Sequence, residues 1–312
     1  MPKYVVRIFS SFCSSAQCKT KFETIGEAFL LENYGNTKDI YITDGDDYTH
    51  VIILNIARPQ LHNIPKENVI GLACEPPHFL GLTPPFVEYA QQYIGKYFIG
   101  QCFGLPAPFI EHHGFMWHTT PLKSIPASKP HKMSIMFSQK NRAPGHKYRH
   151  ELVSRILASD LPIDIMGRGC KYSSGKTPPS FLRRNFKFLS SFLAPELPHF
   201  PPDSRLKGEF HELEPYLSYQ FHIAIENFQL NHYFSEKILD PLFCGTTPVY
   251  LGCTNIDTYF PGMVIRLSGG VDKDMELLRA ILNNPEQYRR QIRIEDVKNT
   301  TSLVKNIPAI FG

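Results

Sequence analysis

Long hydrophobic runs are missing from this 312-residue chain. Its first residues, MPKYVVRIFSSF, hold too short an apolar stretch for a signal peptide or a membrane anchor, and the expectation is a soluble, cytoplasmic protein. Cysteine is sparse: seven residues, an odd number, without CxxC spacing. That excludes a zinc framework and a disulfide scaffold, leaving reduced thiols or one isolated bridge between Cys13 and Cys18, the single close pair. A large excess of one charge is missing too, since 33 Lys and Arg face 29 Asp and Glu for a net of +4. No nucleic-acid partner is required, and the small basic surplus suits a phosphorylated small substrate. Internal repeats and low-complexity tracts are absent. The acidic turn Asp44-Gly45-Asp46-Asp47 lacks the spaced ligands of a calcium site and reads as a solvated turn.

What is present suits two domains of about 150 residues each, and a hydrophobic content of 42% is ample for two cores. Residues 1–128 alternate strands and helices. Strands are expected at Tyr4–Phe9, Asp39–Ile42 and His50–Leu54, with a polar loop over Ser10–Cys18 and a helix over Phe22–Tyr34. A buried strand from Asn68 ends in Glu75, where Pro76-Pro77 would stop it and hold the carboxylate at the sheet edge. Phe86–Tyr93 reads as a helix and Lys96–Gly100 as a strand, and Pro121–Pro130 as a linker. Beyond it come a strand at Lys132–Ser138, an amphipathic helix at Tyr148–Ser159, a strand at Ile163–Gly167 and a late helix over Asp274–Ile292.

The densest signal lies between Phe221 and Gly252. Phe221–Ile225 is a buried-strand pattern that turns polar at Glu226-Asn227. After a loop, Ser235 is a good N-cap for a short helix, followed by a strand from Pro248. In a βαβ unit, ligands gather at strand carboxyl ends and helix amino ends. Glu236 in the first turn suits the macrodipole, whereas Lys237 there opposes it unless an anion is bound. Pro241 removes the amide that would bond the carbonyl of Lys237, so the helix must be short or kinked.

These residues carry a resemblance. Glu226-Asn227, Tyr233-x-Ser235-Glu236-Lys237-Ile238 and Gly245-Thr246-Thr247-Pro248-Val249-Tyr250-x-Gly252 resemble the donor-binding signature of the GDP-fucose-dependent α-1,3/α-1,4-fucosyltransferases, with Ser235 where that family usually has Thr. The likeness implies an α/β fold of the GT-B type, two Rossmann-like domains facing across a cleft. It implies an acceptor domain over 1–128, a donor domain over 129–290, and a tail, 291–312, that returns to the first domain. Glu75, in C-E-P-P, matches the family's general base. Arg149 is the best fit to its phosphate-contacting arginine, with Leu152, Ile156 and Asp164 nearly in register. The spacing needs a one-residue adjustment, so Arg142, His146 and Lys147 stay in competition.

The activity implied is inverting transfer of L-fucose from GDP-β-L-fucose to a glycan or glycoconjugate hydroxyl, of the GlcNAc O3 type. Asn227, Tyr233, Ser235, Glu236 and Lys237 join Arg149 as donor-binding candidates. With Arg149 and Lys237 as cations, no divalent metal is required, and one would at most stimulate. A different nucleotide-sugar donor, and a nucleotide- or carbohydrate-binding module without turnover, remain open. So does the 171–205 insertion, whose basic, aromatic segment 181–193 could touch a membrane surface and more often forms a surface loop with a packed helix.

Overall fold

The computed structural model describes residues 2–28, 31–115, 122, 124–170 and 202–312. The segment 181–193 and most of the 171–205 insertion lie outside them. Two parallel six-stranded sheets form the body. In the first, β1 (Tyr4–Ser10), β2 (Ile40–Thr43), β3 (His50–Leu54), β4 (Val69–Leu72), β5 (Lys96–Ile99) and β6 (Phe109–Glu111) run in the order β2-β1-β3-β4-β5-β6. Strand β3 shows why the sheet is covered on both faces. Ile52 and Leu54 point into one core with Val6, Ile8 and Phe22; Val51 and Ile53 point into the other with Phe86, Ala90 and Tyr97. Alternation with period 2 sends neighbours to opposite sides, and each buried aliphatic side chain contributes roughly 1.5–3 kcal/mol.

The second sheet uses β7 (His131–Met136), β8 (Ile163–Met166), β9 (Leu206–Gly208), β10 (Tyr219–Ile225), β11 (Thr247–Leu251) and β12 (Ile265–Arg266) in the order β12-β11-β10-β7-β8-β9. Counted from its own first strand this is 3-2-1-4-5-6, the dinucleotide-fold order, with its switch point between β7 and β10. The first sheet instead has a single strand beyond β1, so the two are relatives rather than copies.

Several element bounds differ from expectation, each for a local reason. Helix α1 (Ser15–Ala28) starts well before Phe22 because Ser14 and Gln17 form a reciprocal cap. The Gln17 amide donates to Ser14 Oγ at 3.2 Å and the Ser14 amide to Gln17 Oε1 at 2.9 Å. Strand β4 ends at Leu72 because the next amides find other acceptors: Ala73 N donates to the Phe98 carbonyl and Cys74 N to Asn55 Oδ1, both at 2.9 Å. Glu75 therefore sits on an elbow before helix α2 (Pro77–Leu80), itself followed by α3 (Pro84–Tyr93). Helix α4 spans Pro144–Leu157, and α5 is the short Glu214–Leu217 turn. Helix α6 (Glu236–Phe243) is eight residues long and closes on Gly245 at φ 64. The Gly245 amide reaches Leu242 O and that of Thr246 reaches Pro241 O, a left-handed C-terminal cap that accounts for glycine there.

The late helix, α7, runs from Val271 to Asn283, and Pro285 opens a separate turn, α8 (Pro285–Tyr288). Helix α9 (Ile294–Thr301) places Val297 in the core around α6, whereas α10 (Leu303–Phe311) crosses over. Its Leu303, Val304, Ile307 and Ile310 complete the first sheet's core, and Lys96 Nζ donates to Ile310 O at 3.3 Å. All seven cysteines are free thiols, Cys13 Sγ lying 3.2 Å from Cys18 Sγ. Among the described residues no helix is long and apolar enough to cross a membrane.

Candidate functional site

The carboxyl end of β10 delivers Glu226 between two glycines. A Cβ on Gly145, at the start of α4, would lie 1.8 Å from the Glu226 carbonyl oxygen; one on Gly252 would lie 2.4 Å from Glu226 Cγ. Only glycine lets these backbones approach so closely, and Gly145 N donates to Asn227 O at 3.0 Å. The Glu226 carboxylate, fully buried, accepts the Ser235 amide at 2.8 Å and the Ser235 hydroxyl at 2.7 Å. Lys237 Nζ stands 3.7 Å from it, 2.9 Å from Glu236 Oε1 and 3.1 Å from Ser235 Oγ. Ser235 Oγ also caps α6 by accepting the Lys237 amide at 3.4 Å.

Arg149, on the face of α4 turned to the sheet, is buried and donates to the Ile225 carbonyl. Burial pulls its pKa down while Glu226 and Glu236 push it up. For Lys237 burial also lowers the pKa, but Glu226 and Glu236 outweigh it and the net shift is upward, so the ammonium is retained. Burial raises Glu226, with Lys237 the main opposing influence. Two cations and two carboxylates thus occupy one small region at the switch point, where a doubly wound sheet binds its ligand.

Of the other basic candidates, Arg142 and Lys147 are exposed. His146 is buried, and its Nδ1 accepts the amides of Ala143 at 3.1 Å and Arg142 at 3.3 Å. Its pKa is held at about 4, first by burial and then by Arg149. It serves as a neutral cap of α4 rather than as a cation. Next to these groups, a cavity of about 210 Å³ is lined by Gly145, Tyr148, Glu226, Phe228 and Gln229 among others. Tyr148 is oriented there by Asp274, whose carboxylate accepts its hydroxyl at 2.5 Å together with the amides of Ser268 and Gly269.

From the opposite side, the carboxyl edge of the first sheet meets this region. A Cβ on Gly100, just past β5, would lie 3.0 Å from Tyr233 Cβ. Tyr233 is buried, and its phenol pKa rises well above the ordinary value, through burial first and then through Glu226, Glu75 and Glu236. Glu75, exposed on its elbow, therefore shares the surroundings of Tyr233 with the two carboxylates of the second domain. Asn227 is partly buried beside His146. His113, from the loop after β6, stacks on Phe234 at 5.3 Å and bonds the Thr300 carbonyl at 2.9 Å, closing the domains on each other.

The structure thus gathers Glu75, Arg149, Tyr233, Ser235, Glu236 and Lys237 about one interdomain region. Sequence reasoning underrated Glu226, whose signal was an acid directly after a buried-strand pattern. It also gave no weight to Gly145 or Phe228. Among the described residues no group of three or more His, Cys, Asp or Glu side chains is placed to hold a metal ion.

No protein-family profile matches the chain. Solved structures do resemble it. An α1,3-fucosyltransferase with GDP-fucose aligns over 99% of this chain and 89% of its own, at 13% identity and a TM-score of 0.51. Anabaena HepE in complex with UDP-glucose aligns over 98% and 97%, at 9% identity and a TM-score of 0.53. An α-glucosyltransferase in complex with UDP and a mismatched 13-mer DNA aligns over 100% of both chains, at 11% identity and a TM-score of 0.52. At such identities the likeness is one of fold: this chain has the GT-B arrangement, two parallel α/β domains facing across a cleft.

Proposed function

We propose that this protein is an inverting glycosyltransferase that moves L-fucose from GDP-β-L-fucose to a glycan hydroxyl, of the GlcNAc O3 type, with α linkage. The observation that carries the reading is the meeting at Tyr233. There Gly100 of the first domain's edge packs on Tyr233, and His78, on the helix that follows Glu75, stacks on Phe228 at 4.5 Å, which brings Glu75 to the stretch that holds Glu226, Glu236 and Lys237 in the second. A single displacement needs that division. The acceptor oxygen forms a bond to the anomeric carbon as the bond to the diphosphate oxygen breaks, Glu75 takes the hydroxyl proton, and GDP leaves.

The four charges about Lys237 are formally balanced, so an incoming diphosphate needs one of them to change partners. Glu236 is the one able to move: its side chain is 37% exposed, against 0% for Glu226. In this reading Lys237 exchanges Glu236 for phosphate oxygens, and Glu236 then joins Asn227 in binding sugar hydroxyls. Glu226, anchored by Ser235, keeps the ammonium aimed. Arg149 supplies a second positive charge that favours the developing charge on the leaving group. Two cations make a divalent metal dispensable, so activity should survive EDTA. Complete loss restored by manganese would count against this arrangement.

A UDP-sugar is the competing donor, since two of the similar structures hold UDP or UDP-glucose. The deciding experiment measures melting shifts with GDP, UDP and ADP and then transfer of labelled fucose from GDP-fucose to a glycan array. A shift with UDP and none with GDP would reassign the donor. GDP binding without turnover on any acceptor would leave a binding module.

A further inference from the structure

The carboxyl edge of the first sheet carries three exposed phenylalanines, Phe12 after β1, Phe79 after β4 and Phe103 after β5, and the last two stand beside the Glu75 elbow. Phe79 is 44% exposed and Phe103 is 57% exposed. Both are costly to place. Large aromatic surface in water is unfavourable, and Phe103 also sits at φ 48, a left-handed backbone that a bulky side chain rarely adopts. A strained backbone at an exposed loop residue points to a function for that residue.

The two rings belong to a cluster that crosses the cleft. His78 stacks flat on Phe228 of the second domain, at 4.5 Å and an interplanar angle of 7°. Phe79 meets Phe228 edge-on at 5.1 Å, and Phe103 meets His78 edge-on at 5.4 Å. Phe228 in turn lines the cavity that contains Glu226 and Gln229. His78 and Phe79 lie on α2, the short helix that begins directly after Glu75 and Pro76. One elbow therefore presents the base and the aromatic surface together, next to the donor cavity.

We infer that Phe79 and Phe103 form the stacking surface for a pyranose ring of the acceptor, and that they determine acceptor selection. This rests on the transferase reading above. A pyranose offers a face of C–H bonds with hydroxyls around its rim, which suits exposed phenyl rings bordered by His78 and Glu75. Ring-on-ring stacking holds the sugar while its hydroxyl edge turns to the carboxylate.

The test is steady-state transfer from GDP-fucose to methyl and octyl β-glycosides of galactose, glucose and N-acetylglucosamine and to their disaccharides. Three variants are compared with the unaltered protein: Phe79→Ala, Phe103→Asn and Phe103→Tyr. Removing either ring should raise acceptor KM by roughly tenfold, with donor KM and the GDP-induced melting shift unchanged. Phe103→Tyr should stay within about twofold of the unaltered protein, since it keeps a ring. Phe103→Asn should also raise the melting temperature, because Asn tolerates the left-handed backbone; a structural ring would lower it.

Acceptor KM unchanged in both ring-deleted variants would overturn the inference while leaving the transferase reading intact. So would donor KM rising in step with acceptor KM, or an effect that appears with octyl and not with methyl glycosides, which would make the surface a site for an alkyl tail. Hydrolysis of GDP-fucose without transfer to any of these sugars would overturn it as well. If GDP neither binds nor shifts melting, the transferase reading falls and this inference falls with it.

Discussion

The two sheet edges that face each other are built from the same strand–helix unit and carry opposite kinds of surface. The second sheet's edge buries its proposed site: Arg149, Glu226 and Ser235 are each under a tenth exposed, and every charge there has a partner within the protein. The first sheet's edge displays it, with Glu75, Phe79 and Phe103 all exposed. Buried charges are retained only where they are paired and hydrogen-bonded, so the donor side must be preorganised and tolerates little change. Apart from Glu75, the exposed side bears fewer packing constraints. A shared scaffold therefore holds buried, paired charges on one side and an exposed, aromatic surface on the other.

That contrast can be broken in four ways, taken in order of expected size. Glu75→Gln on the exposed side should lower kcat by about two to four orders of magnitude while leaving the GDP-induced melting shift and the folding stability unchanged. Near-normal turnover would move the base elsewhere. Lys237→Ala on the buried side should do the reverse, costing about 3–5 kcal/mol in urea unfolding as well as GDP binding, because Glu226 loses its nearest cation. Adding Glu226→Gln should recover much of that stability. If Lys237→Ala unfolds within 1 kcal/mol of the unaltered protein, roughly the size of an exposed pair, the buried ion pair is not what holds the loop.

Gly145→Ala should cost about 1–3 kcal/mol, since its Cβ forces α4 away from β10; an unchanged midpoint would mean the contact yields freely. The fourth comparison is in pH, where the readout is the difference that one histidine makes. His113, His146 and His222 are buried and neutral, with pKa values held by burial at about 3, 4 and 3. Unfolded, they would take up protons near the ordinary 6.5. Their contribution is thus present above pH 6.5 and lost as pH falls toward 4 and then 3. Unfolding midpoints measured at pH 7 and 4.5 should drop, and His146→Gln should flatten the slope. A drop unaltered in that variant would clear His146.

Much of this was legible in the sequence because the second domain's site is local. Ser235, Glu236, Lys237 and Gly245 lie on one strand–loop–helix, so caps, dipole and turn chemistry could be read from spacing alone. The resemblance implied two Rossmann-like domains, and the alternation of strand and helix patterns agreed with it. What could not be read depends on contacts between distant residues. The burial of Glu226 follows from Gly145 and Gly252, far from it in the chain on one side. The early start of α1 was written in Ser14 and Gln17, yet an apolar periodicity beginning at Phe22 outweighed it. Among Arg142, His146, Lys147 and Arg149 spacing could not choose, because the helix's rotation about its axis is set by packing on β10.

Helix α10 has a bearing on how the molecule is made. Its four apolar residues are as much a part of the first sheet's core as β1 is, though they are synthesised some three hundred residues later. A domain emerging from the ribosome ordinarily folds as its own segment appears. Here the first sheet must wait with one face covered only in part, by α1, until the second domain has been completed and the chain has crossed back. The second domain is thus the natural first folder, and the long-range closure of the other core sets the last step. Nascent chains stalled before residue 303 should expose the uncovered part of that face to chaperones.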